Sequence, residues 1–237
     1  LLVTSTSGIQ RSTDSGATWV PAFTVAGQTF STLSSGGSRL WAGSGGAGVY
    51  ASTDGGQSWI PRNAGLPTKD VVALAGSPGN PGRALVSLGA SGVYRTTDGG
   101  DTWSPVLAAS EKVTALGFAP TDSQIVIAGT TSGGGGRILK STDGGMAFSP
   151  VYMNLNGGAW SVALAPNDPQ HILVVAYYSM QSTDGGATWG YPGLFGSGVV
   201  GFDPASPSNL YFGAASPYGT PVYKSTNGGG TFYAYSP

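Results

Sequence analysis

A phrase of eight residues recurs six times along this chain of 237 residues, and its spacing restricts the possible folds more than any other feature. It reads Ser/Thr-Thr-Asp/Asn-Gly/Ser-Gly-x-x-Trp/Phe, at 12–19, 52–59, 96–103, 141–148, 182–189 and 225–232. The third positions are Asp14, Asp54, Asp98, Asp143, Asp184 and Asn227, separated by 40, 44, 45, 41 and 43 residues. The closing aromatics are Trp19, Trp59, Trp103, Phe148, Trp189 and Phe232. A period of about 40–50 residues signals a solenoid, a propeller or an array. The repeat runs unbroken from end to end, which argues for a single domain, 1–237.

Between the boxes the pattern is that of short strands. In the fourth repeat Val113–Ala119 is an apolar run ended by Pro120-Thr-Asp-Ser, and Ile125–Ala128 follows. A Gly-rich turn then leads through Arg137–Ser141 into the box, and Phe148–Tyr152 leads out. Runs of Val, Ile, Tyr and Phe cut by Gly, Pro and Asp turns are antiparallel strands, and no stretch keeps a helical period. Val71–Ala75, Ser161–Ala165 and Val199–Phe202 repeat the first strand; Ala84–Leu88, His171–Ala176 and Asn209–Gly213 the second; Val49–Ser52, Val93–Thr96 and Val222–Ser225 the third. The inner strands are apolar on both faces, as in a sheet held between neighbours. Four-stranded units repeated radially make a β-propeller. The expected fold is therefore all-β, a six-bladed propeller of four-stranded antiparallel blades. Its blades fall at about 1–25, 26–65, 66–109, 110–155, 156–195 and 196–237.

The first repeat has room before its box for only two strands. An incomplete blade exposes strand edges. We expect either further chain ahead of Leu1, or a strand lent by another subunit through β-augmentation.

The box itself is a turn-builder. An Asp side chain accepts backbone N–H bonds inside its own tight turn, Gly at the next positions permits positive φ, and the hydroxyls bridge nearby backbone. The aromatic is expected to pack beneath the turn as a core residue. Asn227 fits a structural role, since an amide still accepts those bonds but cannot act as a general base. A calcium site is not expected, because each box offers one carboxylate and calcium takes about six to eight oxygens.

Composition removes several function classes. Ten Lys and Arg, scattered, face eleven Asp and Glu, so the basic footprint of a nucleic-acid binder or a polybasic membrane binder is missing. There is no Cys and a single His, His171, which excludes a thiolate metal site and a zinc site built on several imidazoles. His171 stands in an Asn-Asp-Pro-Gln-His stretch that reads as a surface turn. The longest apolar run, Ile172–Tyr178, is too short to span a bilayer. Charged residues make up 9% of the chain while Gly numbers 41, a composition that suits an extracytoplasmic protein.

Two phrases, Gly92-Val-Tyr-Arg-Thr-Thr-Asp-Gly-Gly-Asp-Thr-Trp103 and Ala163-Leu-Ala-Pro-Asn-Asp-Pro169, carry a family likeness. Over nearly its whole length the chain resembles the Asp-box, or bacterial neuraminidase repeat, propellers. The branch it resembles holds oligoxyloglucan-type glycoside hydrolases, sortilin-type propellers and photosystem II stability and assembly factors. The resemblance implies that the boxes lie between third and fourth strands, on the face away from the usual active site. The other face would carry the blade connections and the turns from second to third strands, which are short here and leave little material for a cleft.

A sialidase of this resemblance would need an arginine cluster, a Tyr nucleophile and a Glu. Glu111 is the only Glu. Arg11, Arg95 and Arg137 belong to third strands, Arg83 to a box-face turn and Arg39 to a second strand, leaving Arg62 alone in a loop of the active face. A glycosidase needs two carboxylates, about 5–5.5 or 6.5–9.5 Å apart by mechanism. Asp70 and Glu111, each just ahead of a first strand, are the pair outside the boxes and box-face turns; with Lys69 and Lys112 beside them they read equally as solvated loop charge. Among the aromatics outside the boxes, Tyr152, Trp160, Tyr191, Phe195 and Tyr218 cluster by sequence at loops of that face. Such residues make protein interfaces or sugar platforms.

The reading is of a non-catalytic binding or scaffold propeller. It would engage a protein partner or larger complex through its loop face, using Arg62, Tyr152, Trp160, Tyr191, Phe195 and Tyr218. The alternative is a glycan-active protein, either a hydrolase using Asp70 and Glu111 or a sugar binder using the aromatics. No cofactor, metal, nucleic acid or transmembrane segment is expected.

Overall fold

Each short apolar run becomes a strand that stops at the Gly, Pro or Asp bounding it, and successive strands pair antiparallel. The computed structural model describes residues 1–131, 135–194, 196–215 and 222–235. Its strands form six antiparallel sheets, the blades of a β-propeller. The chain divides into two compact units, Leu1–Val113 and Thr114–Pro237.

In the first unit, blade one is β1 (Leu2–Ser5), β2 (Gly8–Arg11) and β3 (Val20–Phe23). Blade two is β4 (Phe30–Gly36), β5 (Arg39–Ser44), β6 (Gly48–Ser52) and β7 (Ile60–Pro61). Blade three is β8 (Ala73–Gly76), β9 (Ala84–Ser87), β10 (Val93–Thr96) and β11 (Ser104–Leu107). The first sheet has three strands, and its box lies between β2 and β3, so β1 corresponds to the second strand of a full blade. A 3₁₀ turn at Gly89–Ser91 is the one helical element among the described residues, and no helix is long and apolar enough to cross a membrane.

The unit boundary falls within β12 (Lys112–Phe118), which with β13 (Val126–Thr131), β14 (Gly136–Ser141) and β15 (Ser149–Leu155) makes blade four. Blade five is β16 (Ser161–Ala165), β17 (Asp168–Val175) and β18 (Met180–Ser182). Blade six is β19 (Gly198–Phe202), β20 (Leu210–Ala214), β21 (Val222–Ser225) and β22 (Tyr233–Tyr235). Blade five departs from the four-strand expectation. Among the described residues its outer edge is paired through the Gln181–Gly190 bridge and the Ser179 N–H on Leu194 O at 3.0 Å, in a stretch, Gly190-Tyr191-Pro192-Gly193, that lacks one ladder donor and carries two glycines.

All six boxes close in the same way. The first hydroxyl, buried in every copy, donates to Asp Oδ1 and accepts the N–H of the glycine four residues on. In the second box Ser52 Oγ lies 2.8 Å from Asp54 Oδ1, and the Gly56 N–H reaches Ser52 Oγ at 2.9 Å. Asp54 Oδ1 also accepts the Ser58 N–H at 2.9 Å while Oδ2 accepts the Ser58 hydroxyl. Asn227 does the same work with an amide: Oδ1 accepts the Thr231 N–H and Nδ2 donates to Thr231 Oγ1, each at 3.0 Å. In the first box Ser15 takes the place of a glycine and is held at φ 59°, in the left-handed region.

The boxes share a face with the turns between first and second strands. The N–H of a box glycine donates to that turn's carbonyl in blades three, four, five and six: Gly99 to Gly82, Gly144 to Gln124, Gly185 to Gln170 and Gly228 to Ser208. The opposite face is thereby left to the second-to-third turns and the blade connections.

Neighbouring blades within a unit are joined in two ways. The box aromatic packs against the preceding blade: Trp59 on Phe23, Trp103 on Trp41, Trp189 on Tyr152. A side chain of the preceding blade also donates to the carbonyl of the first box glycine. Arg39 Nη1 reaches Gly99 O at 3.1 Å, Lys140 Nζ reaches Gly185 O at 2.7 Å, and Gln181 Nε2 reaches Gly228 O at 2.5 Å. The apolar core lies in these joints. Trp41, Val49 and Ala51 meet Val71, Leu74 and Val86, and Ile127 and Ile138 meet Leu164, Ile172 and Val174.

Two expectations are corrected by this packing. Trp59 and Trp103 are buried, and Phe148, Trp189 and Phe232 are partly so, but Trp19 is 41% exposed. Trp19 belongs to the first blade, and its unit holds no preceding blade to cover it. His171 is not in a surface turn. It lies within β17, half-buried, with its ring edge-on to Phe202 at 5.0 Å and its Nε2 2.6 Å from Gln181 Nε2.

That last contact makes a pH-dependent joint. Gln181 Nε2 donates to Gly228 O and lies 2.6 Å from His171 Nε2, and only a neutral imidazole nitrogen can accept that amide N–H. Burial lowers the His171 pKa, against the opposing pull of Asp168. The five box carboxylates are also lowered, chiefly by the hydroxyl four residues on in Asp14, Asp54, Asp98 and Asp184. Asp184 falls to about 2. In Asp143 the chief cause is the Ala147 N–H. A depressed pKa contributes stability that is present above the unfolded value and lost as pH falls. The urea midpoint should therefore be flat above pH ~7, decline below ~6.5 through His171 and drop steeply below ~4 through the boxes. His171→Phe should abolish the upper step and keep the lower one.

Candidate functional site

The structure distributes the residues singled out from the sequence over several places. Asp70 is exposed, accepts the Thr68 hydroxyl at 3.1 Å and bridges to Gly45. Glu111 is partly buried in the turn ahead of β12, with its N–H on Ala108 O. None of the described hollows is lined by either carboxylate. An open hollow of about 330 Å³ on the loop side of blade one is walled by Thr6, Ser7 and Thr24–Thr29, without a single acid.

Arg62 does not stand free on the loop face. Its guanidinium pairs with Asp101 in the box of blade three, and its carbonyl accepts the Trp103 indole N–H at 2.9 Å. Tyr152 lies in β15 with its ring 6.2 Å from Trp189, partly buried between blades four and five. Phe195 and Tyr218 fall outside the described residues. Among the described residues no group of three or more His, Cys, Asp or Glu lies together as a metal would need.

Tyr191 is where the structure gathers aromatics. Its ring is 5.7 Å from Tyr178, which is 5.0 Å from Tyr177, and the interplanar angles are 88° and 87°. The three are 51%, 47% and 54% exposed. Tyr177 and Tyr178 form the turn between β17 and β18, on the loop side of blade five. Trp160 is exposed next to them in sequence pairing, its N–H on Val175 O just ahead of Ala176. Tyr191 also rims an open hollow of about 300 Å³ with Gln181, Thr183, Thr188 and Pro192. Sequence reasoning placed Trp160 and Tyr191 at the loop face but not Tyr177 and Tyr178. The available signal was their place directly after the second strand, at a turn too short to bury two rings.

The three rings carry no charge, and Arg137 stands in the adjacent blade next to Gly136, whose N–H donates to Gly157 O beside Tyr177. An exposed, charge-free group of amphipathic rings is suited to contact by apolar faces and hydroxyl hydrogen bonds. It supplies no acid, base or nucleophile activated by a neighbour.

Residues 47–184, more than half of the chain, match the family model for Sortilin-Vps10, described as sortilin, neurotensin receptor 3. The chain belongs to the Sortilin-Vps10 family. A search of curated proteins found no sequence match. Among solved structures, this Sortilin-Vps10 propeller is similar to an ancestral GH74 enzyme at 20% identity and TM-score 0.72, over 91% of this chain and 32% of that one. It is similar to YCF48 bound to D1 peptide at 20% identity and TM-score 0.70, over 98% of this chain and 76% of that one. The GH74 xyloglucanase from Xanthomonas campestris follows at 16% identity and TM-score 0.63, over 98% of this chain and 50% of that one. The chain thus spans about a third of the ancestral enzyme, half of the xyloglucanase and three quarters of YCF48. At these identities the likeness is one of fold, shared by glycoside hydrolases and by a protein seen with a peptide.

Proposed function

We propose that this Sortilin-Vps10 propeller is a non-catalytic binding protein that engages a protein partner through the loop face of blade five, in a compartment outside the cytoplasm. The observation that carries the reading is the group of Tyr177, Tyr178 and Tyr191, packed edge to face and each about half-exposed. Tyr and Trp are the residues enriched where partners dock. YCF48, one of the similar folds, was solved with a peptide bound, which accords with a propeller serving as a peptide platform.

A photo-crosslinking residue in place of Tyr178 tests it, with the same residue in place of Thr142 on the box face as control. Capture of one defined protein from the native source at 178 and not at 142 is the expected result. Equal capture at both, or none at 178, would remove the reading.

A second reading, glycan hydrolysis through Asp70 and Glu111, keeps one observation in its favour: both carboxylates lie in one unit, each just ahead of a first strand. Incubation with xyloglucan oligosaccharides should release no reducing ends beyond those of Asp70→Asn/Glu111→Gln. Turnover that this double variant abolishes would replace the first reading with the second.

A further inference from the structure

We propose that copies of this chain associate head to tail, the flank of blade six that faces away from blade five receiving blade one of the next copy. Blade five takes no part in this contact, which stands apart from the protein-binding reading above.

The flank of blade six is an apolar sheet face without cover. Val200, Phe202 and Phe212 point into the core shared with Leu173 and Val175 of blade five. Strand alternation sends the residues between them to the other side. There Val199, Val222 and Tyr235 form one row across the strands, and Tyr211, Lys224 and Tyr233 form the next. Val199 is 66% exposed and Tyr233 68%. The equivalent places in other blades are covered. Tyr211 pairs with the residue just ahead of the box hydroxyl, as Trp41, Ile127 and Leu173 do. Those three are fully buried in the joints with the next blade, whereas Tyr211 is only partly buried. A contiguous exposed apolar face marks a contact surface.

Lys224 identifies the occupant. Lys140 and Gln181 hold the same place in their blades, directly ahead of the box hydroxyl. Each donates to the first glycine carbonyl of the next blade's box. Lys224 donates to no such carbonyl among the described residues. Its ammonium rests over Tyr211 and Tyr235, 5.3 and 5.5 Å from the ring centroids. A face with this donor at this point is matched by the box side of another blade.

Blade one presents that side unfilled. Its box aromatic, Trp19, is exposed, whereas Trp59 and Trp103 are buried against the blades before them. Leu1, also exposed, borders Gly16 together with Trp19, and exposed Val3 follows it on β1. Ser15 stands at the first glycine position of this box, and its carbonyl accepts no hydrogen bond among the described residues. The Asp14 carboxylate beside it, kept ionised by the Thr18 hydroxyl, adds negative charge opposite a cation. Docking would set Trp19 on Tyr211 as Trp103 sits on Trp41, and Lys224 on Ser15 O as Lys140 sits on Gly185 O. Both halves of one joint thus belong to the same sequence, so a second copy fits without any new geometry. A contact between two different faces is heterologous and repeats from copy to copy.

Sedimentation velocity of the purified chain between about 1 and 200 µM tests this. The weight-average mass should rise with concentration past that of a dimer. Tyr211→Asp spoils the receiving face and Trp19→Asp the inserted one, so each variant alone should stay monomeric. Mixed in equal amounts they retain one complete joint and should form a dimer and nothing larger. Far-ultraviolet circular dichroism checks that each variant is folded on its own. Lys224→Met should weaken association of the otherwise unchanged chain about tenfold, the value of a charge-assisted hydrogen bond. A wild-type chain that stays monomeric up to about 200 µM, association untouched by these substitutions, or folded variants that fail to combine would overturn the proposal.

Discussion

Replacing Trp103 with alanine should lower the unfolding free energy by about 3–5 kcal/mol, the range for truncating a large aromatic in a core. Trp103 is 4% exposed and meets Trp41 edge-on at 5.9 Å. Its indole N–H is held by the Arg62 carbonyl and its backbone N–H by Ala64 O. The substitution therefore opens a cavity between blades two and three and strands a carbonyl there. Urea unfolding followed by tryptophan fluorescence measures the loss. Trp19→Ala is the internal comparison. With that ring 41% exposed, the change should stay below about 1 kcal/mol, as surface substitutions generally do. Equal effects at the two positions would mean that the box aromatic does not join blades.

The second large effect is expected at the first hydroxyl of a box. Ser141→Ala should cost about 2 kcal/mol, because it leaves the buried Gly145 N–H without its acceptor at 2.9 Å and removes a donor to Asp143 at 2.7 Å. Asp143→Asn should cost less than about 1 kcal/mol. An amide oxygen can still accept the Met146 and Ala147 N–H bonds, as Asn227 does from Thr231 in the sixth box. The order matters more than the sizes: a box that tolerated Ser141→Ala but failed with Asp143→Asn would be held by charge, not by its hydroxyl clasp.

How much of this was legible from the residues depends on how local the cause is. β10 at Val93–Thr96, β16 at Ser161–Ala165 and β21 at Val222–Ser225 lie where the apolar runs and turn residues put them, since both signals are contiguous. The clasp was legible for the same reason, its partners being two to four residues apart. Three features were not. Trp19 shares its motif with Trp103, but what covers a box aromatic is a different blade. Arg62 reads as a loop cation because its partner, Asp101, is 39 residues away in another box. His171 reads as a turn because Pro169 precedes it, yet β17 begins at Asp168 and accommodates a proline near its start. The interaction surface was half legible. Trp160 and Tyr191 are at loops by sequence, while Tyr178 and Tyr191 meet across the box, between residues far apart along the chain.

The central claim is that the aromatic group of blade five, and not the carboxylates ahead of β8 and β12, carries the function. Co-purification of the partner from the native source decides between them, with two double variants set against the wild type. Tyr177→Ser/Tyr178→Ser should lose the partner, while Asp70→Asn/Glu111→Gln should retain it at the wild-type level. Retention by the tyrosine variant together with loss by the carboxylate variant would contradict the account.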